Sequence, residues 1–371
     1  MDKSTRKKIL LLSLAYDPFI GGAEVAVKEI TDRLEEYEFD MITVNLDGRQ
    51  EESEKMGNVH VHRIGAGKRS KYFFPWQAQY RAETMHKDRH YDAVWAIMAN
   101  QAGLAASFFK KKNPSVPFLL TLQEGDSEFD IWIRTFYMRL AYAAIYRRAD
   151  SIQAISKYLA RRAKKMGAKS DICVVPNGVN EAFLDIRGGN RGARVVITTS
   201  RLEKKNNIGT LIRAMSYVEG KLVIAGNGSE RKRLENLSKD LGLEKRVEFL
   251  GSVSHEIIRK HFEDASVFVR PSVSEGLGSS FLEAMAAGIP IVGTRVGGIP
   301  DFLIEGETGL FCEAESPKSV SEKIRILFSD EELYRRLSRN GKMLVEKKYV
   351  WSGICGDMRK IFNMLWKEKI K

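Results

Sequence analysis

Cysteine is scarce. The 371 residues hold three, Cys173, Cys312 and Cys355, widely spaced and mostly in apolar surroundings. An odd, scattered set gives no disulfide framework and fits core positions in a reducing compartment, so a cytoplasmic location is expected. Long apolar runs are also missing, since none reaches the roughly 18 residues of a membrane span. Ile9 to Ala15 follows Lys7 and Lys8 and leads into Tyr16-Asp17-Pro18 rather than a small-residue cleavage site, so it reads as a first buried strand and not a signal peptide. Histidine is sparse. His60 and His62 would share one strand face with no third ligand nearby, which makes them surface residues and leaves no metal site legible. No recognised nucleic-acid module occurs, and nucleic acid is set aside as a partner.

What is present is ordinary globular material, 43% hydrophobic and 29% charged, which excludes long disorder. The length exceeds one hydrophobic core, so two domains are expected. Short apolar runs (KKILLLSLAY, FDMITVNL, VHVHRI, DAVWAIM, PFLLTLQ, SIQAIS, DICVVPNGV) alternate with helical patterns, the first over Gly22 to about Glu36. After the Gly- and Arg-rich stretch Arg187 to Arg194 the scheme repeats: RVVITTS, a helix from about Ile208 to Tyr217, KLVIAG, a charged helix from Glu230 to Leu241, RVEFLG, SVFVRPS and PIVGTRVG. Alternation of this kind predicts α/β architecture with two doubly wound, Rossmann-like domains, 1–180 and 181–350. Residues 351–371 place Ile354, Met358, Ile361, Phe362 and Leu365 at helical spacing, a helix that packs back on the first domain or bridges the two. In such sheets ligands sit at the carboxyl ends of the strands, and the cleft between two facing domains is the expected site.

A net charge of +12 points to an acidic partner. Residues 134–169 hold ten Lys or Arg, among them Arg134, Arg139, Arg148, Arg162 and Lys169, against Asp150 alone. The stretch reads as a solvated helix face or as a surface for anionic membrane, because tyrosines and apolar residues interleave the charges. Residues 60–81 add five basic groups (Arg63, Lys68, Arg69, Lys71, Arg81), several aromatics and no acid, which suits an acceptor loop or a lipid-facing edge.

The stretch SVSEGLGSSFLEAMAAGIP at 272–290 places Glu275 in a turn after a strand and Glu283 one turn into the following helix, with seven residues between them. The helix N-terminus offers unpaired N–H groups and a positive dipole to an anion, and Gly276 and Gly278 let backbone approach a ligand. Ser280 and Glu283 also fit a capping box, in which the glutamate only serves the helix end. Arg201 and Lys205, in RLEKKNN after the first strand of the second series, can hold the two charged groups of a diphosphate, while Lys204 reads as solvated. Gly226 and Gly228 lack the third glycine of a dinucleotide motif, since Arg231 occupies its place. Gly21-Gly22 opens the first helix and permits close approach of a bulky ligand.

Together these pieces resemble the retaining glycosyltransferases of family four, which have the GT-B fold, over almost the whole chain. The resemblance is carried by GGAE at 21–24, PNGVN at 176–180, SRLEKKNNIGTLIRAM at 200–215, LVIAGNGSE at 222–230, VEFLGSV at 247–253, GETGLF at 306–311 and, most specifically, SEGLGSSFLEAMAAGIPIVGTRVGGIPD at 274–301. It implies that Glu275 binds sugar hydroxyls of a nucleotide-diphosphate sugar and Glu283 its ribose hydroxyls. Backbone at Gly276, Leu277, Gly278, Ser279 and Ser280 would meet sugar and phosphates. Arg201 and Lys205 would neutralise the leaving diphosphate, the Gly21-Gly22 loop would close over it, and Gly226 and the stretch Gly251 to Val253 would lie by the nucleotide. The implied reaction retains anomeric configuration and uses the nucleotide sugar as co-substrate, with no cofactor and no metal. Its acceptor would be a glycan or a lipid-linked molecule. Where many members carry a histidine after the strand of PFLLTLQEGD, this chain has Gln123, which donates a hydrogen bond but does not titrate. Asp126 or Glu124 then takes over as acceptor-orienting base, or Asp126 merely begins a turn. The alternatives are a non-catalytic nucleotide-sugar-binding or membrane-associated partner protein, and a hydrolase or epimerase of the same fold.

Overall fold

The computed structural model describes residues 6–19, 21–126, 138–186 and 189–367; Arg134 and Arg187, noted above, lie outside them. The chain divides into two compact units. One comprises Met1–Glu124, Glu128–Asn177 and Trp351–Lys371, the other Gly125–Ser127 and Gly178–Val350.

Among the described residues, the first unit is built on an eight-stranded sheet: β1 (Lys7–Leu12), β2 (Tyr37–Val44), β3 (Ser53–Met56), β4 (Val59–Ile64), β5 (Ala93–Ile97), β6 (Phe118–Leu122), β7 (Ser151–Ala154) and β8 (Asp171–Val174). Their order is β3-β4-β2-β1-β5-β6-β7-β8, parallel throughout except for the β3–β4 pair. Helices α1 (Gly22–Arg33), α2 (Phe74–Arg89), α3 (Gln101–Lys112), α4 (Arg139–Arg148) and α5 (Lys157–Lys165) connect the strands. Ile9 to Leu12 have no exposed surface, as a parallel strand covered on both faces requires. Strand β3, SEKM, is the part the hydrophobic pattern does not forecast. It is a short polar edge that alternates exposed and half-buried residues. Helix α1 ends at Arg33, sooner than expected, because Tyr37 already enters β2.

The second unit has a six-stranded, all-parallel sheet of β9 (Val195–Thr199), β10 (Lys221–Ala225), β11 (Val247–Gly251), β12 (Val267–Arg270), β13 (Ile291–Gly293) and β14 (Leu310–Phe311), in the order β11-β10-β9-β12-β13-β14. Its helices are α6 (Ile208–Ala214), α7 (Arg231–Asp240), α8 (His255–Asp264), α9 (Ser279–Ala286), α10 (Pro317–Ser329) and α11 (Glu331–Lys348). A 3₁₀ turn over Met215–Tyr217 replaces the last turn forecast for α6. The strand order reverses between β9 and β12, so the ligand position that the topology favours is at their carboxyl ends.

Helix α12 (Trp351–Lys367) returns to the first unit. Ile354, Met358, Ile361, Phe362 and Leu365 are all buried in that core, with Phe362 edge-on to Trp95 at 5.3 Å. Phe362→Ala is expected to cost about 3–5 kcal/mol by transfer and cavity terms, read from urea unfolding. A cost well under 1 kcal/mol would show that the helix is dispensable to the core.

None of the three cysteines forms a disulfide among the described residues; Cys312 and Cys355 are buried and Cys173 is half-buried. His60 is exposed, but His62 is half-buried with Nε2 3.5 Å from Asp40, so it is not the free surface residue that its strand position suggested. Among the described residues, no helix is long and apolar enough to cross a membrane.

Candidate functional site

The carboxyl end of β12 is closed by Arg270, which sequence reasoning missed. Its side chain is nearly buried, and a buried cation is tolerated only when paired and hydrogen-bonded. Arg270 meets that demand through its terminal nitrogens, donating to Thr199 O at 3.1 Å, to Ser280 Oγ at 2.7 Å and to Glu275 Oε2 at 2.7 Å, with the Phe281 ring centroid at 4.7 Å, while its Nε is buried without a partner among the described residues. The one sequence signal was a charged residue ending an otherwise apolar strand. Glu275 is thereby fixed with 17% of its side chain exposed, and its second oxygen accepts the Gly276 N–H at 3.2 Å. Gly297, at φ +56°, passes directly beneath; a Cβ there would overlap the Glu275 carbonyl.

Helix α9 starts after Gly278, whose φ of +95° places it in the left-handed region, and no side chain caps the helix. The expected capping box is therefore absent. Ser280 lies inside the helix, where its hydroxyl accepts from Arg270 and donates to Thr199 O at 3.0 Å. Glu283 turns instead towards His255, Oε1 to Nε2 3.8 Å, and keeps 16% of its side chain exposed. Burial pushes its carboxyl above the usual carboxylate range, with His255 and Arg270 opposing the shift. Leu277 is buried beneath the turn, and Ser279 is half-buried.

The loop after β9 carries the two predicted cations. Arg201 is exposed and its side chain makes no hydrogen bond or ion pair among the described residues, while its carbonyl accepts from Asn206 Nδ2 at 2.6 Å. Lys205 is anchored through its carbonyl, which accepts the Val273 N–H at 2.8 Å, and its ammonium pairs with Asp126 at 2.9 Å. Ser274 Oγ donates to Gly125 O at 3.0 Å, so the 125–126 segment belongs to this unit. A Cβ on Gly125 would stand 3.1 Å from Gly276 N, 3.4 Å from Lys205 Nζ and 3.7 Å from Glu275 Oε1. An amide donor, an ammonium and a carboxylate thus converge on one point.

Gly226 and Gly251 sit at the ends of β10 and β11, joined by an N–H···O bond of 2.7 Å. Gly226, at φ +135°, admits no Cβ, because one would overlap Ser200 O. Val253 is half-exposed just before α8, which Ser254 caps. In the first unit Gly21 is the N-cap of α1 without a side-chain bond, and Gly22 has open space around its Cβ position. Gln123 accepts from Asn177 Nδ2 at 3.0 Å, which leaves its amide N–H groups as donors. Glu124 points elsewhere, accepting the Ala99 N–H, and its other oxygen is buried without a partner among the described residues. No group of three His, Cys, Asp or Glu among the described residues could hold a metal.

The architecture is that of the GT-B glycosyltransferases. Sucrose-phosphate synthase from Thermosynechococcus elongatus matches with a TM-score of 0.86 at 22% identity, covering 98% of this chain and 100% of that one. HepE from Anabaena, solved in complex with UDP-glucose, matches with a TM-score of 0.79 at 18% identity, covering 96% and 99%. Sequence narrows the class. Residues 20–183 match the family described as Glycosyltransferase Family 4, and residues 180–343 match Glycosyl transferases group 1. An uncharacterized glycosyltransferase of Methanocaldococcus jannaschii is 28% identical over 359 residues, 96% of this chain and 98% of that protein. The chain belongs to the glycosyltransferases of family four.

Proposed function

We propose that the protein transfers a sugar, with retention of anomeric configuration, from a nucleotide-diphosphate sugar to a glycan or lipid-linked acceptor. It works in the cytoplasm, against an anionic membrane surface, and without a metal ion. The observation that carries this reading is the convergence of Gly276 N, Lys205 Nζ and Glu275 Oε1 around Gly125. That set matches a diphosphate joined to a sugar, with cation and amide for the phosphate oxygens and carboxylate for the sugar hydroxyls. HepE, of the same fold, is complexed with UDP-glucose, which makes nucleotide sugars the first donor class to test.

In this reading Glu275, fixed by Arg270, accepts from sugar hydroxyls, and Glu283 accepts from ribose hydroxyls. Amides from Gly276 to Ser280 face the phosphates, and Gly226, Gly251 and Val253 line the nucleotide. The sugar–oxygen bond to the diphosphate breaks through an oxocarbenium-like transition state. The acceptor oxygen bonds to the same face of the sugar, and its proton passes to the departing phosphate oxygen. Arg201 and Lys205 stabilise the charge that grows on the leaving group, the role a divalent cation fills elsewhere. Gln123 presents its N–H groups to sugar or phosphate oxygens.

Calorimetry with UDP-, GDP- and ADP-sugars in the presence of EDTA tests donor recognition. One of them should bind, and Glu283→Ala should weaken it by about tenfold to a hundredfold, the value of hydrogen bonds to a charged group. Binding left unchanged by Glu283→Ala would remove Glu283 from the donor site. Tight binding without transfer to any acceptor would favour a non-catalytic nucleotide-sugar-binding protein, the reading that Gln123 in the histidine's place prompts.

A further inference from the structure

Five aromatic side chains among the described residues are strongly exposed, and four of them lie within nine residues: Tyr72 (60%), Phe73 (63%), Trp76 (54%) and Tyr80 (74%). The cause is the sequence of α2, which is apolar on two sides. Phe74, Ala78 and Ala82 are fully buried and form the stripe that packs inward. Phe73, Trp76 and Tyr80 follow each other at three- and four-residue spacing and form a second stripe on the outside. Past Phe74 and Pro75 the inward stripe is alanine only, while three large aromatics stand outward.

The surroundings of the outer stripe are cationic. Lys68, Arg69 and Arg81 are exposed, and Lys71 Nζ lies 5.2 Å from the Tyr72 ring centroid. Residues 60–81 contain no acid. Glu83, the next one along α2, is engaged by Lys112 at 3.0 Å and by Gln79. Arg63 is excluded from the patch, because it is 6% exposed and bound to Glu54 and to the carbonyls of Glu51 and Asp17.

Over its described residues, 138–169, the second basic stretch presents no strongly exposed aromatic side chain. Tyr146 is 2% exposed, Ile145 and Leu159 are buried, and Arg162, 4% exposed, turns inward to Tyr146. Arg148 donates to Ser107 Oγ at 2.9 Å. Exposed charges over 138–169 therefore stand on a surface whose tyrosines are buried or half-buried.

We propose that the outer face of α2 and the preceding turn, residues 68–81, dock on an anionic phospholipid bilayer. Aromatic rings with polar tips settle at the headgroup level, and cations beside them meet lipid phosphates; either contribution alone gives weak, reversible attachment. The proposal rests on the membrane part of the reading above and is independent of the donor site.

Co-sedimentation of the full chain with phosphatidylcholine vesicles, with and without phosphatidylglycerol, tests it. Binding is expected to the anionic vesicles and to fall with added salt. Trp76→Ser with Tyr80→Ser should weaken it by about tenfold or more, and Arg69→Gln with Lys71→Gln should remove most of its preference for phosphatidylglycerol. Trp76→Phe should bind as the parent does while losing the blue shift of tryptophan fluorescence, which separates lost contact from lost fold. No binding by the parent protein would overturn both the membrane reading and this assignment. Binding that survives the aromatic pair of substitutions would overturn the assignment alone, as would a dimer in sedimentation velocity that the same substitutions dissolve.

Discussion

Glu275→Ala is expected to lower the unfolding free energy by about 3–5 kcal/mol, far more than a half-buried loop carboxylate ordinarily contributes. The reason lies in its partner. The Arg270 side chain is 6% exposed, and without Glu275 one face of a buried guanidinium has no counter-charge. Thr199 O and Ser280 Oγ would remain as acceptors, but neither carries charge. Glu275→Gln keeps an acceptor for Arg270 and should cost markedly less stability. In the proposed reaction it should nonetheless lower kcat/KM strongly, because a neutral amide holds sugar hydroxyls less well than a carboxylate. Urea unfolding of the two variants beside their kinetics separates the roles. Equal destabilisation by Ala and Gln would mean that the ion pair does not set the stability of this turn.

Removing the Lys205 ammonium is expected to reduce kcat/KM by about a hundredfold to a thousandfold, the usual consequence of losing one group aimed at developing charge. Its pairing adds a second expectation of opposite sign. In the structure the Asp126 carboxylate occupies the ammonium at 2.9 Å, so in the proposed reaction an incoming diphosphate would displace one anion to bind as another. Asp126→Asn should therefore tighten the binding of the cognate nucleoside diphosphate by several-fold, since a neutral amide competes less well for a cation. Steady-state kinetics reads the first effect, and calorimetry with UDP, GDP and ADP the second. Weaker binding on Asp126→Asn would instead give Asp126 a direct part in holding the ligand.

The fold class was legible because its strands are apolar runs covered on both faces, such as Ile9 to Leu12, and because the same alternation occurs twice. Strand β3 was not, since Ser53 to Met56 form an edge with no buried face to leave a pattern. At the candidate site, spacing alone drew attention to Glu275 and Glu283 but could not separate a capping box from other arrangements. Ser280 settles against the cap through contacts with Arg270, ten residues back, and with Thr199 on another strand. Arg270 stayed hidden because its significance lies in four contacts made by the end of β9, the turn at Glu275 and α9. In the basic stretch, charge counts do not register that Tyr146 and Arg162 face inward.

The return of α12 to the first unit also sets the order in which the protein can be finished. The strands of the second unit lie between residues 195 and 311 and its helices end at Lys348, so all of that unit is made before α12. The first unit has its sheet much earlier, yet Phe39 and Trp95 are covered by Phe362 and its neighbours only when the last helix arrives. The unit begun first is completed last. Until then its nascent sheet carries an uncovered aromatic surface, the kind of surface that chaperones shield on a ribosome-bound chain.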